Sequence, residues 1–522
     1  MHQKEHPAIE INPEFLHALD CMEQGSKSVF ITGRAGTGKS TLLHHFRKIT
    51  KKNIAVLAPT GVAALNVKGQ TIHSFFGFRP DITADTVKNM NPFSKTLYKK
   101  LDAIVIDEIS MVRADLMDCV DIFLRNYGRN PGTPFGGTQM IFIGDLYQLP
   151  PVLKYRDKAA FNSKYRSPYF FGADIFSTDF EMEFVELQKV YRQKDRVFLD
   201  MLNAIRNNTA SDRDISAINS RYIPDHDHDR ELALCLTTTN DLANEINIKR
   251  LSALRTKEHK YHGIIEGEFH SKDLPTSQEL TLKIGAQVML LNNDTEGRWI
   301  NGSIGRIERI EPVKNEYDIL WVELTDGELV GVEPYRWNMY EFVYDKKDKR
   351  VDSEIIGTFM QYPLRLAWAV TIHKSQGLTF ERVIIDIGRG TFSHGQLYVA
   401  LSRCTSLEGI VLKKPVQKKH ILMDWSVVDF ITKYQYRLAK QKLPIEDRLP
   451  IIQKAIREEK KLAIVYLKNR DEKSERIVLP QYLGEIEYQS RKFIGMRAFC
   501  TERKAERVFH LERILDIKET EG

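Results

Sequence analysis

Residues Gly33-Arg34-Ala35-Gly36-Thr37-Gly38-Lys39-Ser40 follow the spacing G-x-x-x-x-G-K-S, and no other feature restricts the fold as tightly. A loop of this kind works only between a buried strand and a helix. Its glycines let backbone N–H groups curl round phosphate oxygens, and the following helix adds its positive N-terminal end. Both flanks are present: the apolar run Val29–Thr32 (VFIT) precedes the loop, and Ser40–Ile49 carries a helical pattern. Gly33, Gly36, Thr37, Gly38, Lys39, Ser40 and Thr41 are therefore the candidate nucleotide-binding residues. Lys39 is placed to reach terminal phosphates, and the Ser40 hydroxyl to ligate Mg²⁺.

The same texture continues along the chain. Ile54–Ala58, Ala103–Ile106 and Met140–Gly144 are short runs rich in Val and Ile that end in polar or glycine-containing loops, and Ala114–Arg125 reads as a helix. Such runs suit strands of a parallel sheet buried on both faces. A second set appears at Leu232–Leu236, Arg382–Ile387 and Gly409–Leu412, with a helix at Asp241–Leu254. Between about 261 and 357 the runs become short and strand-like, with turns at Asn301-Gly302, Asp326-Gly327 and Asp345–Arg350, which predicts a small inserted β-barrel. The polar stretch at 440–450, with two prolines, reads as a linker. Residues 451–522 read as one helix followed by a small β domain.

Two strand ends carry further chemistry. Ile104–Asp107 followed by Glu108 closes an apolar run in two adjacent acids. An Asp there can hold Mg²⁺, and the neighbouring Glu can polarise an attacking water. Gly144-Asp145-Leu146-Tyr147-Gln148-Leu149-Pro150-Pro151 follows the next strand, and its prolines fix an extended exit. The uncharged amide of Gln148 can hydrogen-bond a γ-phosphate or its water.

Composition sets the outer limits. The 522 residues carry 76 Lys and Arg against 70 Asp and Glu, a net charge of +6, which permits a nucleic-acid partner without requiring one. The five cysteines are scattered with no close pair, which excludes the common zinc and iron–sulfur spacings. No apolar run of roughly 20 residues occurs, so no spanning helix and no membrane partner are expected. The N-terminal stretch lacks a signal-peptide core, and a soluble cytoplasmic enzyme is the expected class, nucleoid-associated if bacterial.

Together these segments resemble superfamily 1 helicases, and within them the Pif family and its RecD-like relatives. Further blocks match in order: Ala58-Pro59-Thr60-Gly61-Val62-Ala63-Ala64; Gly69-Gln70-Thr71-Ile72-His73-Ser74-Phe75-Phe76; Pro134-Phe135-Gly136-Gly137-Thr138-Gln139; Leu187-Gln188-Lys189-Val190-Tyr191-Arg192-Gln193; Trp368 to Gly377 (WAVTIHKSQG); and Tyr398-Val399-Ala400-Leu401-Ser402-Arg403. The resemblance spans about residues 10 to 435. It implies a first RecA-like domain over 1–184 with a small insertion near 75–100, and a second over 185–260 and 358–440. It also implies a Src-homology-3-like barrel at 261–357.

The implied activity is ATP-dependent, 5′-to-3′ translocation on single-stranded DNA by a monomer. The implied substrates are duplex, forked or structured DNA, in settings such as replication, repair and telomere maintenance. Lys39, Asp107, Glu108, Gln148, Arg192 and Arg403 become the catalytic set, with the two arginines crossing from the second domain to the γ-phosphate; Ser40 and Asp107 hold Mg²⁺, and Gly377 joins the ATP site. Thr60, Thr71, His73, Phe75, Asn240, His373, Lys374 and Ser375 match positions that touch the single strand, Phe75 by stacking on bases. In one place the pattern is broken. Phe15 stands where the family has a glutamine that reads adenine, which leaves selectivity for ATP over other nucleotides open.

The C-terminal runs Ala463–Tyr466, Arg476–Pro480 and Arg507–Ile514 resemble a WYL domain, although Lys492-Phe493-Ile494 replaces the naming tripeptide. The residues leave two other readings open: a DNA-stimulated translocase or regulatory ATPase without strand separation, and a ligand-gated regulator led by the WYL-like domain.

Overall fold

A computed structural model describes residues 12–520 apart from 93, 155–156, 179, 194, 225–231, 315–316, 469–472 and 489–490. The chain divides into two compact units, Met1–Arg206 with Ala210–Leu422, and Asn207–Thr209 with Met423–Gly522.

The first unit opens with helix α1 (Pro13–Glu23), capped by the Asn12 side chain, which accepts the Phe15 N–H at 2.8 Å. A six-stranded sheet follows: β1 (Ser28–Gly33), β2 (Ile54–Ala58), β3 (Gln70–Thr71), β4 (Ala103–Ile106), β5 (Gln139–Ile143) and β6 (Met182–Leu187). Its order is β3-β2-β4-β5-β1-β6 and every pairing is parallel. Strand β1 is buried at all its residues, as the unbroken apolar run requires of a strand covered on both faces. The connecting helices are α2 (Lys39–Ile49), α3 (Gly61–Asn66), α4 (Ile72–Phe76), α5 (Ala84–Lys88), α6 (Lys95–Lys100), α7 (Ala114–Tyr127) and α8 (Lys158–Lys164). Helices α4 to α6 fill the stretch near 75–100. The boundary expected at 184 falls inside β6, all of which belongs to this sheet.

After α9 (Arg196–Arg206) and α10 (Asp212–Asn219), β7 (Leu234–Thr237) and α11 (Asn240–Ala253) begin a second parallel layer. The chain then leaves it for ten strands: β8 (Glu258–His262), β9 (Ile264–Gly267), β10 (Glu279–Lys283), β11 (Gln287–Leu290), β12 (Ile304–Glu311), β13 (Ile319–Leu324), β14 (Leu329–Val332), β15 (Tyr335–Asp345), β16 (Arg350–Gln361) and β17 (Leu364–Leu366). It returns in β18 (Ala369–Thr371), β19 (Val383–Asp386), α12 (Gln396–Leu401) and β20 (Ile410–Leu412), giving a parallel sheet of order β18-β7-β19-β20.

This excursion covers the stretch where the small inserted β-barrel is expected. Among the described residues it forms three antiparallel sheets: β14-β13-β12-β11-β17, the pair β10-β8, and the ribbon β15-β16-β9. The five-stranded sheet has its own core of Val288, Leu290, Ile307, Leu320, Val322 and Tyr362. Its limits also move outwards from 261 and 357, because β8 starts at Glu258 and β17 pairs with β11. The ribbon lies on the first sheet's side of the unit. The Phe342 N–H donates to Gln70 Oε1 at 2.9 Å, and the Val351 N–H to Asn53 Oδ1 at 2.8 Å.

The second unit holds α13 (Trp425–Lys442), α14 (Ile445–Arg457) and a five-stranded antiparallel sheet ordered β24-β23-β22-β21-β25. These strands are β21 (Leu462–Leu467), β22 (Lys473–Tyr488), β23 (Arg491–Cys500), β24 (Ala505–His510) and β25 (Ile514–Glu519). The expected linker at 440–450 is mostly helical. Its polar appearance misleads because Arg448, 2% exposed, is a staple. Its guanidinium donates to the carbonyls of Leu443 (2.8 Å), Leu511 (3.2 Å), Ile514 (2.7 Å) and Ala439 (2.7 Å), fastening α13 and α14 to the sheet.

Candidate active site

The phosphate loop runs from the end of β1 into α2. Gly36 (φ +80°) and Gly38 (φ +87°) take left-handed backbone that lets the loop curl. At Gly36 the space is also gone, since a Cβ would lie 2.5 Å from the Arg192 Cβ. Lys39, at the start of α2, turns its ammonium back to the carbonyls of Gly33 (2.7 Å) and Arg34 (3.0 Å). Burial pushes its pKa down, against the pull of Asp145, Glu108 and Asp107. The Thr37 hydroxyl donates to the Arg34 carbonyl at 3.0 Å, while Ser40 and Thr41 face outward on α2.

Asp107 and Glu108 follow β4 in the same concavity. Burial raises both carboxyls, Glu108 further because Asp107 stands beside it. Glu108 is one of the few non-glycine residues in left-handed backbone, φ +49°. Strain of this kind costs about 1–3 kcal/mol and persists where the surroundings over-determine a conformation. Gln148 sits beyond β5, its Nε2 donating to Asp145 Oδ2 at 3.3 Å. Asp145 is held in turn by a buried ion pair with Arg206 at 3.4 Å, the side chains 0% and 5% exposed. The Arg206 guanidinium lies 3.9 Å from the centre of the Tyr147 ring.

The second sheet closes on this group. Arg192 donates to the carbonyls of Ser402 (3.3 Å) and Gly377 (3.2 Å). Arg403, 1% exposed, donates to Val399 (2.9 Å), Ser375 (3.4 Å), Leu378 (3.2 Å) and the Ser402 hydroxyl (2.9 Å). Burial and the nearby Arg192 bring its pKa down to about 9, so it keeps its charge at neutral pH. Tyr398 receives the Ala35 N–H at 3.0 Å, and the Tyr191 N–H reaches the Gly36 carbonyl at 2.8 Å. A Cβ at Gly395 would strike the Tyr147 and Gln148 carbonyls at 2.3 and 2.4 Å, so only glycine allows this approach.

Sequence reasoning did not single out Gln376. Its Nε2 donates to Glu108 Oε2 at 3.0 Å and to Gln148 Oε1 at 3.1 Å, joining the two sheets at the chemistry. Its partners lie far away in the chain, so only its place in the WAVTIHKSQG block could have drawn attention to it.

The expected strand contacts divide. Thr60 and Thr71 cap α3 and α4, accepting the N–H groups of Ala63 (3.3 Å) and Ser74 (3.1 Å). Thr60, Asn240 and Lys374 are exposed, and His73 and His373 are half-buried, with imidazoles that burial pushes below their usual pKa. Two expectations are overturned. Phe75, 6% exposed, packs among Phe76, Tyr98 and Phe342 at ring distances of 4.8, 5.5 and 6.0 Å, and has no face for a base. Ser375 is fully buried, and its hydroxyl donates to the Ile372 carbonyl at 2.8 Å. Among the lysines at 413–419, Lys413 donates to the Pro224 carbonyl, Lys414 to that of Gly388, and Lys418 pairs with Asp212 at the surface. Phe15 is buried, 6.1 Å from the His45 ring, and offers no donor or acceptor to a base.

A phosphate loop, adjacent strand-end acids and arginines from a second parallel sheet define a two-sheet P-loop nucleotide hydrolase. Family models then match in three places: PIF1-like helicase over residues 14–215, UvrD-like helicase C-terminal domain over 366–407, and WYL domain over 447–519. The chain is 32% identical over 440 residues to the ATP-dependent DNA helicase Pif1 of Bdellovibrio bacteriovorus, covering 82% of this chain and 93% of that one. It is 32% identical to the Emericella nidulans PIF1 over 489 residues, 81% of this chain, and spans 63% of that longer relative. The crystal structure of Bacteroides sp Pif1 in complex with ADP-AlF4 is 33% identical with a TM-score of 0.74, covering 82% of this chain and 98% of that one. A Bacteroides Pif1 bound to single-stranded DNA gives 34% and 0.59, over 82% of this chain and 98% of that one. The chain belongs to the Pif1 family of ATP-dependent DNA helicases, and carries a C-terminal WYL domain.

Proposed function

We propose that the chain hydrolyses ATP where its two parallel sheets meet, and uses the cycle to travel 5′ to 3′ on single-stranded DNA and unwind duplex, forked or structured DNA. The observation that carries this reading is the convergence of Lys39, Asp107, Glu108 and Gln148 from one sheet with Arg192, Gln376 and Arg403 from the other. A site completed by both sheets ties nucleotide state to their separation, which is what a stepping motor needs. The direction rests on the family resemblance.

The loop N–H groups cradle the phosphates, and Lys39 exchanges its loop carbonyls for the terminal phosphates. The donor set fits Mg²⁺, a hard cation that takes oxygen ligands: Ser40 offers a hydroxyl, and Asp107 a carboxylate. Ser40 and Asp107 would hold the ion, which would supply charge neutralisation to the phosphates. Glu108 takes the proton from the attacking water, and Gln148 orients that water without adding charge. Arg192 and Arg403 meet the charge that spreads over the γ-oxygens. With Phe15 in place of an amide, the base is held loosely, and nucleotides other than ATP are also turned over. Thr60, Thr71, His73, Asn240, His373 and Lys374 contact the strand. The protein acts as a monomer in the cytoplasm; among the described residues no helix is long and apolar enough to cross a membrane.

The test is ATP hydrolysis with and without an oligothymidylate strand. Stimulation by the strand, lost in Lys39→Ala, is the expected result. Hydrolysis indifferent to the strand would overturn the reading.

A further inference from the structure

Gln376 has no part in the roles just assigned, yet it is the side chain that touches both water-handling groups. Its amide nitrogen carries two hydrogens. One is spent on Glu108 Oε2 at 3.0 Å and the other on Gln148 Oε1 at 3.1 Å. The chain around it is fixed from both sides: Arg403 holds the carbonyls of Ser375 and Leu378, and Arg192 that of Gly377. The Gln376 N–H closes a turn onto the His373 carbonyl at 3.2 Å. Two and three residues before Gln376, on that same turn, lie Lys374 and His373. The far end of the bridge is equally firm, since Asp145 and its buried partner Arg206 anchor Gln148.

We propose that Gln376 is a positioning residue that aligns Glu108 and Gln148 for water attack, and that it reports strand occupancy at His373 and Lys374 to them. The inference rests on the reading of Glu108 as the group that takes the water's proton. A glutamate side chain can swing its carboxylate through several rotamers, and a donor fixed to Oε2 leaves Oε1 at one place. The same donor fixes the Gln148 amide, so a single side chain sets two groups relative to each other. Because the turn belongs to the second sheet, a strand that presses on it moves the bridge directly. Gln376 reaches those two side chains through its amide alone, so affinity for nucleotide is set elsewhere.

The test uses the full chain, ATP and oligothymidylate, with Gln376→Ala, Gln376→Glu and Gln148→Ala. In Gln376→Ala the strand-stimulated kcat falls about 10- to 100-fold, the range expected for ångström-scale misplacement, while KM for ATP stays within about two-fold. The ratio of stimulated to basal rate collapses toward one. Gln376→Glu does at least as badly, since it has no N–H to give and sets a second carboxylate against Glu108. The double variant Gln148→Ala/Gln376→Ala is scarcely worse than either single, because both remove one bridge. Normal stimulation in Gln376→Ala overturns the proposal. So does an equal fall in basal and stimulated rates together with a lowered melting temperature, which would mark a merely structural residue. Glu108→Gln separates the two levels: an active variant overturns the reading beneath, whereas an inactive one beside a normal Gln376→Ala overturns this inference alone.

Discussion

At the end of β4, Glu108 is held in strained backbone with its carboxylate gripped by Gln376, and behind it Gln148, Asp145 and Arg206 form a buried chain of paired polar groups. By contrast, Thr60 after β2, Asn240 at the start of α11 and Lys374 after β18 stand exposed, and His73 in α4 and His373 after β18 are half-buried. The first region must hold one geometry against ångström-scale drift, and every donor and acceptor helps to determine the next. Under the proposed function the second must release and regain a sliding polymer whose phosphates are all alike, which many weak contacts spread over open surface would serve. Enclosure suits chemistry and openness suits transit, and the two meet on the turn carrying His373, Lys374 and Gln376.

The largest expected effect lies in the enclosed region. Lys39→Ala removes the charge that faces the terminal phosphates, and kcat should fall by about 10³-fold or more, as for loss of a principal electrostatic contact. Glu108→Gln should stop turnover to a similar degree while nucleotide binding, measured by fluorescence titration, survives. Loss of binding in Glu108→Gln would mean that the carboxylate serves the ground state.

Phe75→Ala sharpens the contrast from the other side. Removing a buried ring from the Phe76, Tyr98 and Phe342 cluster should lower stability by about 3–5 kcal/mol in denaturant unfolding. Strand affinity of the fraction still folded should be unchanged. A stable variant with weakened strand binding would return Phe75 to the strand.

Ending the chain after Leu422 removes the second unit apart from Asn207–Thr209, with all of α13 and α14. The remaining unit should fold and hydrolyse ATP, while strand affinity or unwinding changes several-fold. If all three activities are unchanged, the WYL domain serves another ligand.

Single substitutions on the open surface should do least. Thr71→Ala and His373→Ala are each expected to weaken strand binding by roughly 3- to 10-fold, about the worth of one phosphate hydrogen bond, with KM for ATP unmoved. For Thr71 part of the cost, about 1 kcal/mol, falls on the cap of α4 and appears as lost stability. Log affinity should decline linearly with log salt at about −0.7 per phosphate neutralised by a cationic side chain, so Lys374→Ala should remove about one such step while Thr71→Ala and His373→Ala leave the slope unchanged.

The enclosed region was largely legible in the sequence, since the phosphate loop and the strand-end acids are local patterns whose meaning depends on a few neighbouring residues. β2 and β4 lie at the very residues their apolar runs mark. What the sequence hid depends on distant partners. Phe75 in a helix reads alike as core or as a base platform until Phe342, on the inserted ribbon, covers it. Ser375 sits in a matching block, but the fold turns its hydroxyl onto a backbone carbonyl. The segment 440–450 looks like a linker because Arg448 reads as solvated, when four carbonyls bury it. The inserted strands alternate as barrel strands do, yet periodicity says nothing about whether the edges of a sheet meet.

Unwinding of a duplex that carries a single-stranded tail at only one end tests the proposed activity most directly. With ATP and Mg²⁺, the chain should separate the strands of a 5′-tailed duplex and leave the 3′-tailed one intact, and the Lys39→Ala variant should separate neither. Steady strand-stimulated hydrolysis with no strand separation on either substrate, or unwinding from the 3′ tail alone, would contradict it.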